Sequence, residues 1–187
     1  MPYNRIHKIL TAFAAVSIVA AASNAMAADT LVDGMSLEAA GGPDVRMVRL
    51  GAQADWSKRW FEGNGRHLTG YWDLSLAQWR GSAYRGVRGD HQNITSIGFT
   101  PVFRYQADDH RGWYAEGGVG ANVLSHVYDN GDKQLSTAFQ FGDHVGVGYV
   151  FANQWDLGLK FQHFSNASIK KPNDGVNFMV VKLGRAF

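Results

Sequence analysis

His163 and Ser165 place a base and a hydroxyl two residues apart. In a strand such residues share a face, with Cα atoms roughly 6.7 Å apart. At that separation an imidazole can take the proton of the hydroxyl, the pairing that turns serine into a nucleophile toward an ester carbonyl. The stretch 155–165 alternates strictly. Trp155, Leu157, Leu159 and Phe161 share one face; Asp156, Lys160 and Gln162 share the other. His163 and Ser165 continue the apolar face. If that face looks at lipid, the pair lies on the outside of a barrel.

A catalytic histidine needs a third group to fix its tautomer and steady the imidazolium. Asn177 is the positional candidate, because it shares parity with Met179, Val181 and Leu183 at the start of the last strand. Its side-chain carbonyl can accept a hydrogen bond but carries no charge, so it should stabilise an imidazolium less than a carboxylate would. A Cys-His-Asn arrangement shows that asparagine can orient such a histidine. Asp174 is a nearby carboxylate that could substitute, and the choice between the two stays open. Asn166, Asn173 and the backbone N–H groups of the loop after Ser165 are candidates for an oxyanion hole. An isolated H-x-S motif is weak. Its weight here comes from its place on a lipid-facing surface, where polar groups are costly.

The elements that must position these groups read as strands. Val48, Leu50, Ala52, Ala54 and Trp56 oppose Arg49, Gly51, Gln53 and Asp55; Leu68, Gly70, Trp72, Leu74 and Leu76 oppose Thr69, Tyr71, Asp73 and Ser75. The same period recurs around Phe99, Val119, Val147 and Val181, with Pro101 marking a bend or bulge. With a weak first strand over 31–41, about eight strands of membrane-spanning length result. The predicted fold is all-β, an eight-stranded antiparallel transmembrane β-barrel of the bacterial outer membrane. Glycines suit its crowded interior, and Trp56, Trp60, Trp79, Trp113, Tyr114 and Trp155 sit near strand ends as aromatic girdles do. Arg49, Asp55, Asp73, Arg104, Glu116 and Lys160 have interior parity and are expected to form a polar plug, since so small a barrel leaves no generous channel.

Arg5 and Lys8, an apolar stretch over 9–22 and Ala25-Met26-Ala27 resemble a secretory signal, so residues 1–27 are expected to be removed and 28–187 to form the single barrel domain. Removal takes away two of the 18 basic residues and none of the 16 acidic ones, leaving a balanced charge. The apparent basicity therefore gives no argument for nucleic acid. There is no cysteine to staple the fold. His67, His91, His110, His126 and His144 lack metal-ligand spacing. The negative mean hydropathy excludes a helical membrane bundle but not a barrel. A soluble sandwich or lipocalin-like barrel would also alternate. It fits the export signal and the terminal Phe187 less well, because such a terminal aromatic resembles the C-terminal signal of bacterial outer-membrane barrels. An even-stranded barrel keeps both termini in the periplasm. His163, Ser165 and Asn177 then converge at the outer-leaflet side.

The stretch His163-Phe164-Ser165-Asn166-Ala167-Ser168-Ile169-Lys170-Lys171-Pro172-Asn173-Asp174-Gly175 resembles the H-[YF]-S-N-A…K-x-P-N-x-G segment of the lipid A 3-O-deacylase family (PagL type). Gly65–Asp73, Pro101-Val102-Phe103 and Glu116–Gly120 support the resemblance, which spans nearly all of the chain after the signal. It implies an outer-membrane barrel that removes the ester-linked 3-hydroxyacyl chain at position 3 of lipid A without a metal or other cofactor. By motif His163 is the general base and Ser165 the nucleophile, with Asn166 and Asn173 supporting the oxyanion hole. The departure is Asn177, which stands where the family pattern has an acidic residue.

The expected function is therefore an outer-membrane serine esterase acting on lipid A of lipopolysaccharide in the outer leaflet, with a homodimer as a further possibility. Arg85, Arg88 and His91 lie in a loop whose charges could meet lipopolysaccharide phosphates. A non-catalytic barrel serving envelope integrity or adhesion is the rival from another class. A phospholipase is the third reading.

Overall fold

The computed structural model describes residues 31–187; the expected signal segment 1–27 lies outside the described residues. Eleven strands follow one another: β1 (Gly34–Gly42), β2 (Val45–Asp55), β3 (Trp60–Gly63), β4 (Arg66–Gly81), β5 (Gln92–Ala107), β6 (Gly112–Leu124), β7 (Asp129–Asn130), β8 (Lys133–Gln134), β9 (Phe139–Val150), β10 (Trp155–Ser165) and β11 (Val176–Ala186). Eight of them, β1, β2, β4, β5, β6, β9, β10 and β11, pair antiparallel in succession. The pairing of β1 with β11, from Gly34↔Ala186 to Gly41↔Met179, closes the barrel. The short β3 extends β4 at one rim, and β7–β8 is a small hairpin within 125–138 at the other. The rim with the start of β1 and the end of β11 is the terminal rim. The opposite, loop rim carries the connections 82–91, 125–138 and 166–175.

The alternation read from the sequence sets what faces inward. Glu38, Arg49, Asp73, Lys160, Arg104, Glu116, Asp156 and Lys182 are buried or nearly so in the lumen. They form two ionic clusters. Arg49 bridges Glu38 at 2.9 Å and also pairs with Asp73, while Lys160 reaches Glu38 at 2.5 Å. Arg104 meets Glu116 at 2.7 Å, and Lys182 meets Asp156 at 2.9 Å. Tyr71 and Tyr114 add hydroxyl donors to Glu116 and Asp156 at 3.0 and 2.6 Å. Buried charges persist only when paired and hydrogen-bonded, and this network is the expected polar plug. It differs from the expected set, which lacked Glu38, Asp156 and Lys182 and included Asp55; Asp55 is exposed at the end of β2, where its backbone N–H donates to Asp33 Oδ2.

Toward the loop rim the lumen changes character. Trp79, Tyr128, Phe164, Phe178, Ile94, Leu124, Leu135, Val176 and Val180 fill it with an apolar core. Trp79 lies 4.6 Å from Phe164 and 5.0 Å from Phe178, ring centre to ring centre and edge-on, a favoured aromatic geometry. Two members of the expected girdle are thereby corrected. Trp79 is 0 % exposed and Tyr114 is buried, both pointing inward, because their parity matches Asp73 and Glu116 and not the lipid face. The outward aromatics near the terminal rim are Trp56, Trp72 and Phe103, and Trp113 with Tyr149. Pro101 does not form a bulge. The β5–β6 ladder lapses between Phe99↔Ala121 and Val102↔Gly118 without a change of register, as expected where a residue has no N–H to donate.

Candidate active site

β10 and β11 carry the site, and their inward side chains hold it still. Phe164 and Phe178 point into the apolar core beneath the loop rim. With those two anchored there, their neighbours His163, Ser165 and Asn177 must point out. His163 and Ser165 are half-buried and Asn177 is exposed. His163 pairs with Asn177 across the β10–β11 ladder, and its Nδ1 stands 2.6 Å from Asn177 Oδ1. An amide oxygen can only accept, so Nδ1 carries the proton and Nε2 is left with a lone pair. Ser165 Oγ has no hydrogen bond among the described residues; such contacts often close only when substrate arrives. Asp174 does not compete for the imidazole, because its carboxylate accepts from the backbone N–H of Gln134 at 2.8 Å.

The loop after Ser165 is fastened to the strand-end segment 134–136. Asn166 is fully buried and donates from Nδ2 to Lys170 O at 2.8 Å and to Ser136 Oγ at 3.2 Å. Its own backbone N–H donates to Asn173 Oδ1 at 2.9 Å. Ser136 donates onward to Lys170 O at 2.7 Å, and Asp174 N donates to Gln134 O at 3.1 Å. The two asparagines therefore pin the loop to each other and to its neighbour. Ala167 and Ser168 both adopt positive φ, 51° and 63°, in a turn closed by Ile169 N donating to Asn166 O. Two successive N–H groups in such a turn point the same way, and such concavities bind anions.

Gly175 sits against the imidazole. A Cβ built there would lie 2.6 Å from His163 Cε1, and the residue's φ is +69°. Gly175→Ala is expected to push the ring off Asn177 and to strain the backbone. A loss of about tenfold to a hundredfold in kcat with the barrel still folded, read by fatty-acid release and by heat-modifiable gel mobility, would fit; wild-type turnover would remove the contact from consideration.

Asp143 went unnoticed in the sequence. It is the ladder partner of His163 on β9, the opposite side from Asn177, and it faces outward. Its signal is its parity with Val145, Val147 and Tyr149, one step ahead of that apolar run. Beside it lies an outward groove of about 440 Å³ that reaches His163 from Pro101, Phe103, Gly117, Val119 and Phe161. Gly117 supplies no side chain, so the wall is indented between large apolar neighbours. Ser165 itself is opposite Phe141. Among the described residues no group of three or more His, Asp or Glu side chains is placed to hold a metal ion. His67 and His144 point into the lumen.

A family model described as lipid A 3-O-deacylase (PagL) matches residues 46–186. The chain is 37 % identical over 168 residues to the lipid A deacylase PagL of Pseudomonas aeruginosa, covering 89 % of this chain and 90 % of that protein. It is 32 % identical over 169 residues to that of Bordetella bronchiseptica, with the same shares covered. Its fold resembles the crystal structure of the outer membrane enzyme PagL with a TM-score of 0.71 at 29 % identity, covering 82 % of this chain and 99 % of that one.

Proposed function

The chain belongs to the lipid A 3-O-deacylase family, and from that premise we propose that it hydrolyses the 3-O-linked acyl ester of lipid A through Ser165 and His163. It is an integral β-barrel of the outer membrane and an ester hydrolase by family. Short turns of such barrels face the periplasm and longer loops face outward, which puts the loop rim, and the site, at the outer leaflet. The observation that carries the reading is the 2.6 Å contact of His163 with Asn177 on the lipid-facing wall, two residues from a serine on the same face.

The steps follow from these positions. Ser165 Oγ attacks the ester carbonyl while His163 Nε2 takes its proton. The carbonyl oxygen becomes an anion, and the N–H groups of Ala167 and Ser168 stabilise it. Asn166 and Asn173 act behind them: Asn166 N donates to Asn173 Oδ1 and Asn166 Nδ2 donates to Lys170 O, which hold the turn in shape. Collapse breaks the ester bond, the sugar oxygen leaves with the proton from His163, and the acyl group stays on Ser165. A water, deprotonated by His163, then frees the 3-hydroxy fatty acid and restores the serine. Asn177 keeps the imidazole turned, and Asp143 places negative charge on its other flank. The groove beside His163 takes acyl chain, which suits its apolar lining.

Mass spectrometry of lipid A from cells with and without the expressed chain tests this. The expected result is loss of one 3-hydroxyacyl group and appearance of the matching free acid. An unchanged lipid A mass, with the barrel folded in the membrane, would defeat the proposal; fatty acid released from phospholipid vesicles would instead redirect it to another ester.

A further inference from the structure

Arg46 and Arg80 are direct ladder partners on β2 and β4, and both are exposed. Like charges placed opposite each other on one face destabilise a sheet. Neither guanidinium has a hydrogen bond or ion pair among the described residues. They border a surface recess of about 420 Å³ shared with Gly42, Ser82 and His91. Asp44 also borders it, with its carboxylate lying beside Gly131.

Depth is informative. On β2 the outward side chains run Leu50, Val48, then Arg46; on β4 they run Leu74, Leu76, Gln78, then Arg80. The apolar band therefore ends just below the arginines. It ends at the same relative place on β10 and β11, where Phe161 gives way to His163 and Met179 to Asn177. Each group lies just past the end of the apolar band on its own strands, with Asn177 two residues nearer the loop rim than Met179. Between them lies β1, where Gly41 links Met179 to Arg46 by register. A Cβ on Gly41 would meet nothing within 4 Å, so the wall there is bare. From β10, which carries Ser165, to β2 is three strand spacings, roughly 14 Å, a span that a phosphorylated disaccharide headgroup can bridge.

We propose that Arg46 and Arg80 bind a phosphate monoester on the sugar headgroup of the same lipid whose ester Ser165 attacks, an inference that rests on the deacylase activity proposed above. A dianion between the two guanidiniums converts their repulsion into a pair of charge-assisted contacts, and arginine suits phosphate by its forked donors. The lipid is thereby oriented across β1, with its sugar over Gly41 and its 3-O-acyl ester at Ser165.

The test uses the full barrel in detergent micelles, with lipid A and with the same lipid A stripped of its phosphates. Binding is measured on Ser165→Ala so that nothing is consumed, and turnover on the active chain. The barrel with native arginines is expected to bind the phosphorylated lipid about tenfold more tightly, equivalent to about 1.4 kcal/mol. The double variant Arg46→Gln/Arg80→Gln is expected to treat both lipids alike, and the double variant to lysine to recover part of the preference. A preference that survives the glutamine variant, or equal weakening toward both lipids, overturns the assignment. Absence of turnover by the active chain with the binding preference intact would instead defeat the hydrolase reading and leave the arginine site standing.

Discussion

Ser165→Ala is expected to abolish nearly all hydrolysis, with a fall in kcat on the order of 10⁶, the scale set by loss of the nucleophile from a serine protease. KM should move little, because the hydroxyl contributes to bond making and not to holding a many-chained lipid. His163→Ala should lose about as much, and the double variant no more than either alone, since the two side chains act as one unit. The proposed roles lead to this: His163 Nδ1 lies 2.6 Å from Asn177 Oδ1, which leaves Nε2 for the serine. Fatty-acid release from lipid A in micelles reads the effect. Additive losses, or an active Ser165→Ala, would move the chemistry away from this pair.

The second large effect belongs to Asn177. Asn177→Ala is expected to lower kcat by about 10²–10³, less than the roughly 10⁴ lost when the charged member of a serine-protease triad is replaced. The smaller figure reflects what is removed, a neutral acceptor whose task is to hold the ring. Asn177→Glu is expected to raise kcat by about tenfold, because a hydrogen bond to a charged acceptor exceeds a neutral one by about 1–1.5 kcal/mol. The gain should be larger in an Asp143→Asn background. Asp143 already flanks the imidazole from β9, so a second carboxylate adds less while it is present. Equal gains in the two backgrounds would show that Asp143 has no electrostatic part, and a loss in both would show that the site is built around the amide.

Much of this was legible because a strand's period is two. The parity of Leu157, Leu159 and Phe161 placed His163 and Ser165 outside, and the parity of Met179 and Val181 placed Asn177 beside them. Parity fails where both faces of a strand are apolar. Trp79 read as girdle because an aromatic near a strand end is commonplace on the lipid side, yet here the lumen itself turns apolar beneath the loops. Asp143 escaped for the opposite reason, a lone charge at the rim of a run otherwise made of valine and tyrosine. The roles of Asn166 and Asn173 needed coordinates. Their residue types suit an oxyanion hole, but the sequence does not show that Asn166 Nδ2 reaches Ser136 Oγ or that Asn173 Oδ1 accepts from Asn166 N.

The seam between β1 and β11 bears on when the enzyme comes alive. Asn177 belongs to the last strand, whose far neighbour is the first, about 140 residues earlier in the chain. Contacts of such long sequence separation form slowly. Until that join is made, β11 is an open edge and Gly41 does not lie beside Met179. Trp79 and the 134–136 segment, which steady the hairpin and its loop, come from strands and loops outside it. Under the proposed mechanism, hydrolytic competence then depends on a join of high sequence separation. The hairpin that pairs His163 with Asn177 is local, while the contacts that steady it from Trp79 and 134–136 are not.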